Sequence, residues 1–272
     1  MAGFRDCGVR PVDHRAIPHP SVTLLLEFGA EPPVVVDGTG HQESGSLVAG
    51  PGFGFGRGAV RVQGKNIECV QVRLSSSVAG AVLGVSPAEL DGAVVPLHDL
   101  WAREAGRIHE RLEHASWEDR FAFVDALLAS RCAAGPSVDP EVAWAWDRIV
   151  TRRGLVRIES LAAEVGWSRK RLWSRFHAQI GLPPKRAAKL VRFDHAAHRL
   201  VAGEDAARVA AESGYADQSH LNRDVLAFAG VTPTAVAAEP WLAVDDVAWP
   251  IQARADRSPP RLPLAAGRAA GR

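Results

Sequence analysis

Short apolar runs separated by glycine-rich turns fill the first third of the chain, a pattern typical of strands. The run 22–28 predicts a buried strand, and the Asp-Gly pair at 37–38 predicts a hairpin turn after three valines. Within 67–74 the apolar positions change face midway, which predicts either a bulge or a strand buried on both sides. Residues 1–96 are therefore predicted to form an antiparallel β-sandwich, a small barrel or a cupin-like domain.

From residue 97 the apolar spacing changes to that of amphipathic helices. Two stripes predict a pair of helices within 97–133, with these apolar positions: Leu97, Leu100, Trp101, Ile108 and Leu112, then Trp117, Phe121, Val124, Leu128 and Cys132. Ala-Gly-Pro-Ser at 134–137 predicts the end of a first domain, 1–135. The tail 250–272 is mainly Pro, Ala, Gly and Arg and is predicted to be disordered.

Two segments of the helical half repeat one another 48 residues apart. Ala-Ala-Glu-Val-Gly-Trp at 162–167 returns as Ala-Ala-Glu-Ser-Gly-Tyr at 210–215, and each copy later closes on glycine and proline. A helix that ends on glycine and restarts after a few residues is typical of a helix-turn-helix unit. A connector helix from about 183 to 201 would span about 28 Å, near the roughly 34 Å between successive major grooves.

The helix that follows each turn is predicted to present a polar outward face. Ser168 is a predicted N-cap of the first such helix and Asp217 of the second. The outward side chains of the first helix are Arg169, Lys170, Arg171, Ser174 and Arg175. Those of the second are Gln218, Ser219, His220, Asn222 and Arg223. Arginine can pair with guanine edges, and asparagine or glutamine with adenine edges, so these residues are candidate DNA contacts.

With these motifs, residues 141–240 resemble the DNA-binding domain of the AraC/XylS family of bacterial transcription regulators. The resemblance lies in Gly-Tyr-Ala-Asp-Gln-Ser-His-Leu-Asn-Arg at 214–223 and Gly-Val-Thr-Pro at 230–233. It implies an all-α domain of seven helices, with two helix-turn-helix units joined by a long helix. It also implies base contacts from these residues: Lys170, Trp173 and Ser174 in the first unit, and Gln218, Ser219, Asn222 and Arg223 in the second.

The chain departs from the family pattern in two places. Trp173 stands where the family often has a polar base reader, and Val-Leu-Ala at 225–227 replaces an aromatic residue followed by basic ones. In the other half, 18–24 and 83–90 resemble a less-characterised N-terminal domain of actinobacterial members. Regulators that resemble this chain commonly carry a β-rich sensor of a small molecule followed by dimerising helices, which implies a sensor in 1–96 and dimerising helices at 97–133.

Charge is unequal between the two units. Residues 152–199 contain 12 Lys and Arg against three acidic residues, whereas 200–240 contain two arginines against six acidic residues. Attraction to phosphates supplies most non-specific affinity for DNA. We therefore predict that the first unit and the connector dominate affinity, while the second unit adjusts specificity.

The cysteines and histidines give no sign of a metal site, a disulfide or a catalytic group. The three cysteines are far apart, which predicts a reducing cytoplasm and neither a zinc site nor a disulfide. His14, His19 and His41 lack the neighbours that would complete a metal site. No catalytic arrangement and no cofactor are predicted. No apolar run is long enough to span a membrane, so the protein is expected to be soluble and cytoplasmic.

The predicted fold class is α+β, and the predicted function is a DNA-binding transcription regulator. Its expected partners are promoter or operator double-stranded DNA and a small-molecule effector, with RNA polymerase and a second copy of the chain as further candidates. Pocket candidates in the first half are Phe53, Phe55, Arg57 and Arg73. Two alternatives stay open: an enzymatic N-terminal domain, for example with Cys69 as methyl acceptor, or a module that docks another protein.

Overall fold

The computed structural model describes residues 1–5, 11–54, 60–90 and 92–238. Three earlier predictions lie outside the described residues: the disordered tail 250–272 and the pocket candidates Phe55 and Arg57.

The first part of the described chain contains nine strands in two antiparallel sheets. The strands are β1 (Ala2–Arg5), β2 (Val12–Ala16), β3 (Ser21–Glu27), β4 (Val34–Val36), β5 (Gln42–Ser44), β6 (Leu47–Ala49), β7 (Val60–Gly64), β8 (Glu68–Ser75) and β9 (Val94–Pro96). One sheet has the order β1-β8-β3-β6-β9 and the other the order β2-β7-β4-β5. The predicted hairpin after the valines is the β4–β5 pair.

The two faces of the five-stranded sheet are both covered. Successive side chains of a strand point to opposite faces. On β3, Thr23 and Leu25 face the four-stranded sheet across a cavity, while Leu24 and its alternate neighbours pack under helices. β8 pairs with β3 in unbroken register from residue 69 to residue 75. The face change within 67–74 therefore reflects a strand buried on both sides, and no bulge is present.

The described residues form ten α-helices, of which α1 lies between β8 and β9 and the other nine follow the strands. They are α1 (Ser76–Leu83), α2 (Leu97–Glu113), α3 (Trp117–Ala134), α4 (Pro140–Thr151), α5 (Ile158–Glu164), α6 (Arg169–Ile180), α7 (Pro184–Val201), α8 (Ala206–Glu212), α9 (Gln218–Ala229) and α10 (Pro233–Ala237). A short 3₁₀ helix, Pro87–Leu90, follows α1. The predicted fold class is confirmed: a β-rich sandwich, two following helices and a seven-helix all-α part.

Two details of the first part differ from the sequence prediction. α1 interrupts the region predicted to be entirely β-rich, because Ser75 caps it and Gly84 ends it in the left-handed conformation, both local signals within a short apolar run. Cys132 was placed on the buried stripe of α3, but it is exposed, because at this end of the helix the neighbouring Arg131 is the residue that faces α1, where it donates to the Val82 carbonyl at 2.9 Å.

The seven helices α4 to α10 share one apolar core, which also includes Ile17 from the end of β2. Tryptophans at 144, 146 and 167 belong to this core. Within the described residues, every helix is too short or too polar to serve as a membrane span.

Candidate nucleic-acid interface

The first helix-turn-helix unit consists of α5 and α6, joined by a turn at Gly166. Gly166 has φ +69°, the left-handed conformation that the repeat predicted. Ser168 caps α6, because its hydroxyl accepts a hydrogen bond from the Arg171 backbone amide at 3.2 Å. Leu172 and Phe176 are fully buried against the domain core. Burial of this face fixes which side chains of α6 point outward.

All seven predicted side chains of the first unit are exposed: Ser168, Arg169, Lys170, Arg171, Trp173, Ser174 and Arg175. Trp173 is 51% exposed and stacks on His177, with 5.2 Å between ring centroids and 18° between the planes. An exposed indole held flat in this way presents one face and its N–H to an incoming partner.

Two arginines of α6 contact neighbouring protein groups but stay on the surface. Arg169 pairs with Glu159 of α5 at 3.3 Å, and both side chains are more than half exposed. The guanidinium of Arg171 lies 4.4 Å from the ring centroid of Trp167. A surface ion pair is weak and a stacked guanidinium keeps its hydrogen-bond donors, so both arginines can still meet phosphates.

Arg175 is held more firmly than its neighbours. Its guanidinium donates two hydrogen bonds to Asp139, just before α4, at 2.7 and 2.8 Å. These hydrogen bonds hold the pKa of Asp139 below its usual value. Lys170, in contrast, forms no ion pair with any residue that the structure describes. The two cations therefore differ in what DNA would have to displace.

The second unit repeats the first with α8 and α9. Gly214 forms the turn with φ +73°, and the carboxylate of Asp217 caps α9 by accepting from the His220 amide at 2.7 Å. Four of the five predicted side chains are exposed: Gln218, Ser219, Asn222 and Arg223.

His220 is the member of the second set that faces partly inward. Its ring meets Tyr215 edge-on at 5.2 Å, and its Nδ1 accepts from the Ala216 amide at 3.4 Å. The prediction that His220 lies on the outward face is therefore only half right. His220 is the third residue of α9, so its ring lies beside the turn between α8 and α9, where it contacts Tyr215 and Ala216.

The two units are joined by α7, whose 18 residues give a length of about 27 Å. Pro184 lies in its first turn, so the helix starts within one residue of the predicted start near 183. One of its inward residues, Phe193, stacks on Phe228 of α9 with 4.7 Å between ring centroids. α7 is thus the spine against which the second unit packs.

Three cations of α7 form ion pairs with acidic residues of the protein, and the sequence did not reveal this pairing. Arg192 and Lys189 of α7 both pair with Asp224 of α9, at 3.1 and 2.7 Å. Near the end of α7, Arg199 binds Glu204 and Glu212, with one Glu204 contact at 2.9 Å. The basic connector and the acidic second unit therefore neutralise one another, and these cations are not free surface charge.

The first unit also rests on the β-rich part of the chain. The hydroxyl of Ser86 donates to the carbonyl of Ala178 near the end of α6. Gly181 ends α6 with φ +88°, and a Cβ there would lie 2.8 Å from the Pro87 carbonyl oxygen. Sequence reasoning missed this contact, because it joins segments more than 90 residues apart.

A cavity of about 480 Å³ lies between the two sheets, with a predominantly apolar lining. The pocket candidates Phe53 and Arg73 both line it. So does His19, whose Nδ1 accepts from the Ser21 amide at 3.2 Å while its Nε2 contacts the Thr23 hydroxyl at 2.8 Å. Burial lowers the pKa of His19 well below its usual value, which keeps the ring neutral.

The other groups considered for chemistry are placed as follows. Cys69 lines the cavity, and burial raises the pKa of its thiol to about 12. His41 pairs with Glu43 at 2.7 Å on the surface, away from His19. Within the described part of the chain, no three His, Cys, Asp or Glu side chains are grouped to hold a metal ion.

Comparison with known proteins concerns mainly the second half. Residues 161–239 match the family model described as "Helix-turn-helix domain". No curated protein matches the sequence.

Solved structures of ToxT from Vibrio cholerae give distant likenesses over most of the chain. One is 11% identical, covers 86% of this chain and 95% of the other, and has a TM-score of 0.45. An apo variant is 12% identical, with 88% and 96% covered and a TM-score of 0.47. A form bound to an unsaturated fatty acid is 12% identical, with 87% and 94% covered and a TM-score of 0.44.

Proposed function

We propose that this chain, which carries an AraC-type helix-turn-helix domain at residues 161–239, is a sequence-specific DNA-binding transcription regulator. One observation carries the proposal. α6 and α9 each bury an apolar face and expose a polar one, and α7, which joins the two units, is about 27 Å long, near the roughly 34 Å between successive major grooves. Promoter or operator DNA is the expected partner.

The structure lets the candidate contacts be divided by what each side chain already binds. We assign base reading to Lys170, Trp173 and Ser174 on α6, because they are exposed and reach away from the core. Arg169 and Arg171 suit phosphate contacts. On α9 the base readers are Gln218, Ser219, Asn222 and Arg223, while His220 and Arg175 support the geometry of their units.

The cavity between the sheets supports control by a small molecule. Its volume of about 480 Å³ falls within the range of ligand pockets, and its apolar lining with a few polar groups suits an apolar effector. The thiol of Cys69 stays protonated at neutral pH, since its pKa is near 12, which argues against the alternative of a methyl-accepting cysteine. Contact with RNA polymerase, self-association through 97–133, the domain limits 1–135 and 141–240, and a cytoplasmic location stay predictions.

The direct test is selection of double-stranded DNA from a randomised library by the full-length protein at physiological salt. We expect enriched sequences with two half-sites on one face of the duplex. The matched control is the double variant Asn222→Ala/Arg223→Ala, which should enrich only the first half-site. If the wild-type protein enriches no sequence above a salt-dependent background, the proposed function is wrong.

A further inference from the structure

α9 buries a carboxylate on the face that packs against the domain core. Asp224 is 3% exposed and follows Leu221 by three residues, so it lies on the same buried stripe as Leu221, Val225 and Phe228. An ionised carboxylate at such a position is costly unless charged partners hold it. Asp224 is one of the six acidic residues that lower the net charge of 200–240, but its side chain is buried and does not face outward.

Two cations of α7 hold this carboxylate at two points. Lys189 Nζ lies 2.7 Å from Oδ1, and Arg192 donates to Oδ2 at 3.1 Å. Since Lys189 and Arg192 are three residues apart, they lie about one turn apart on the same side of α7. The guanidinium of Arg192 also lies 4.3 Å from the ring centroid of Tyr215, in the turn before α9. We call Lys189, Arg192, Tyr215 and Asp224 the α7–α9 clamp.

A clamp of this kind adds directional contacts to the apolar packing between α7 and α9. The hydrophobic effect is non-directional, so apolar faces orient two helices only through the fit of their side chains. Charge-assisted hydrogen bonds to the two oxygens of one carboxylate specify both the rotation of α9 and its position along α7. Asn222 and Arg223 immediately precede Asp224, so the direction in which they point follows from the orientation of its side chain.

We propose that Asp224 is the positioning residue of the second recognition helix. Through Lys189 and Arg192 it sets the angle at which Gln218, Asn222 and Arg223 meet the second half-site. The inference rests on the proposed DNA-binding function and deepens it: discrimination at the second half-site comes from an ion-pair clamp that touches no DNA.

The test uses the full-length protein and a DNA fragment selected by the wild type, beside the same fragment with its second half-site scrambled. The measured quantity is the ratio of the two affinities. In the triple variant Lys189→Met/Arg192→Met/Asp224→Leu, apolar side chains replace the clamp charges, a change that folded proteins often tolerate. We expect it to keep its melting temperature and its affinity for the scrambled fragment, while the ratio falls about tenfold or more.

A matched control removes the other multiple ion pair of α7. Arg199→Met/Glu204→Met leaves Asp224 untouched and should keep the wild-type ratio, because Arg199 joins α7 to the following loop at Glu204 and to α8 at Glu212, but not to α9. Asp224→Glu supplies a second, milder test. It retains the charge but moves the carboxylate by one methylene, so the ratio should fall with little change in unfolding.

The outcomes separate the two claims. If the wild type selects two half-sites but both clamp variants keep its ratio, the clamp is only structural and the inference is overturned. If the control variant loses the ratio as much as the clamp variants do, the effect is not specific to Asp224 and the inference is again overturned. If the wild type selects no sequence at all, the proposed function fails and this inference fails with it.

Discussion

Lys170 and Arg175 are both exposed on α6, yet a partner would find them in different states. Arg175 already donates two hydrogen bonds to Asp139, while Lys170 forms no ion pair within the described part of the chain. If Arg175 bound DNA, its hydrogen bonds to Asp139 would break, whereas Lys170 would give up only bound water. Exposure therefore does not by itself rank these side chains as DNA contacts.

We predict that Lys170→Ala weakens binding to the selected sequence and relaxes the base preference at the position that Lys170 reads, without a change in melting temperature. Arg175→Ala should do the reverse, because it lowers the melting temperature and leaves the base preference nearly unchanged. Binding to fragments with single base changes and thermal unfolding measure both. Equal losses of base preference in the two variants would contradict the distinction.

His195 of α7 makes the stability of the protein depend on pH. Burial and the nearby Arg153 guanidinium lower its pKa to about 4, and Arg153 lies 3.3 Å from Nε2, where a neutral ring can accept. In the unfolded chain the pKa of histidine is about 6.5. The unfolded state therefore binds the proton first, so the stability conferred by the neutral ring is present above pH 6.5 and declines as the pH falls towards 4.

We predict that His195→Gln reduces this decline, because glutamine offers Arg153 an acceptor that does not titrate. Urea unfolding at pH 7 and pH 5 measures the difference in the free energy of unfolding. Some dependence should persist, since the pKa of buried His19 is also lowered. The exposed His114 is the control, and His114→Gln should behave as the wild type. If the free energy of unfolding of His195→Gln falls between pH 7 and pH 5 as much as that of the wild type, His195 is not the source of the pH dependence.

At the scale of the element, α7 acts as the spacer between the two recognition helices. Its 18 residues form one helix without an interior proline or glycine, and both units pack directly on it. A helix of this kind does not stretch, so the separation of the two units is fixed by covalent geometry.

We predict that insertion of five base pairs between the half-sites of a selected DNA fragment lowers affinity to that of a single half-site. Half a helical turn moves the second site to the opposite face of the duplex, out of reach of α9. Competition binding with the original and the expanded fragments measures this. Equal affinity for both would mean that the connector bends, or that only one unit binds.

Local signals allowed most helices to be predicted from the sequence. Ser168, Asp217, Gly166 and Gly214 act within one turn of their own position, so caps and turns follow from a few neighbouring residues. The exposed faces of α6 and α9 follow from their apolar period in the same way. The pairing of Asp224 with α7 could not be predicted with the same certainty, because it joins residues more than 30 positions apart. The sequence did offer one signal: Asp224 follows Leu221 by three residues, which places it on the buried face of α9.

At the scale of the whole molecule, the β-rich part and the first recognition helix are in direct contact. The 3₁₀ helix carries Pro87 against Gly181, at the end of α6, so closely that a side chain at 181 has no room. On the same part of the chain, Gly52 beside the cavity-lining Phe53 lies against Leu190 of α7.

We predict that Gly181→Ala separates these parts. The added methyl would strain the left-handed backbone at 181 and clash with Pro87. The melting temperature should therefore fall, and cleavage near 84–90 should accelerate in limited proteolysis. Gly203→Ala is the matched control: it has φ +83° but no atom within 4 Å of the added carbon. It should cost only the penalty of placing an L residue in the left-handed conformation, about 1–2 kcal/mol. Equal effects would show that the contact with Pro87 adds nothing.

The stiff spine formed by α7 also makes a single chain a bivalent ligand. Once α6 is seated, α9 encounters its own site as an intramolecular event, at an effective concentration set by the spine rather than by the amount of protein present. Contacts too weak to hold DNA alone then multiply the affinity of the first unit. An acidic second unit is therefore no handicap, since it needs only to tell one sequence from another while its neighbour keeps it in place.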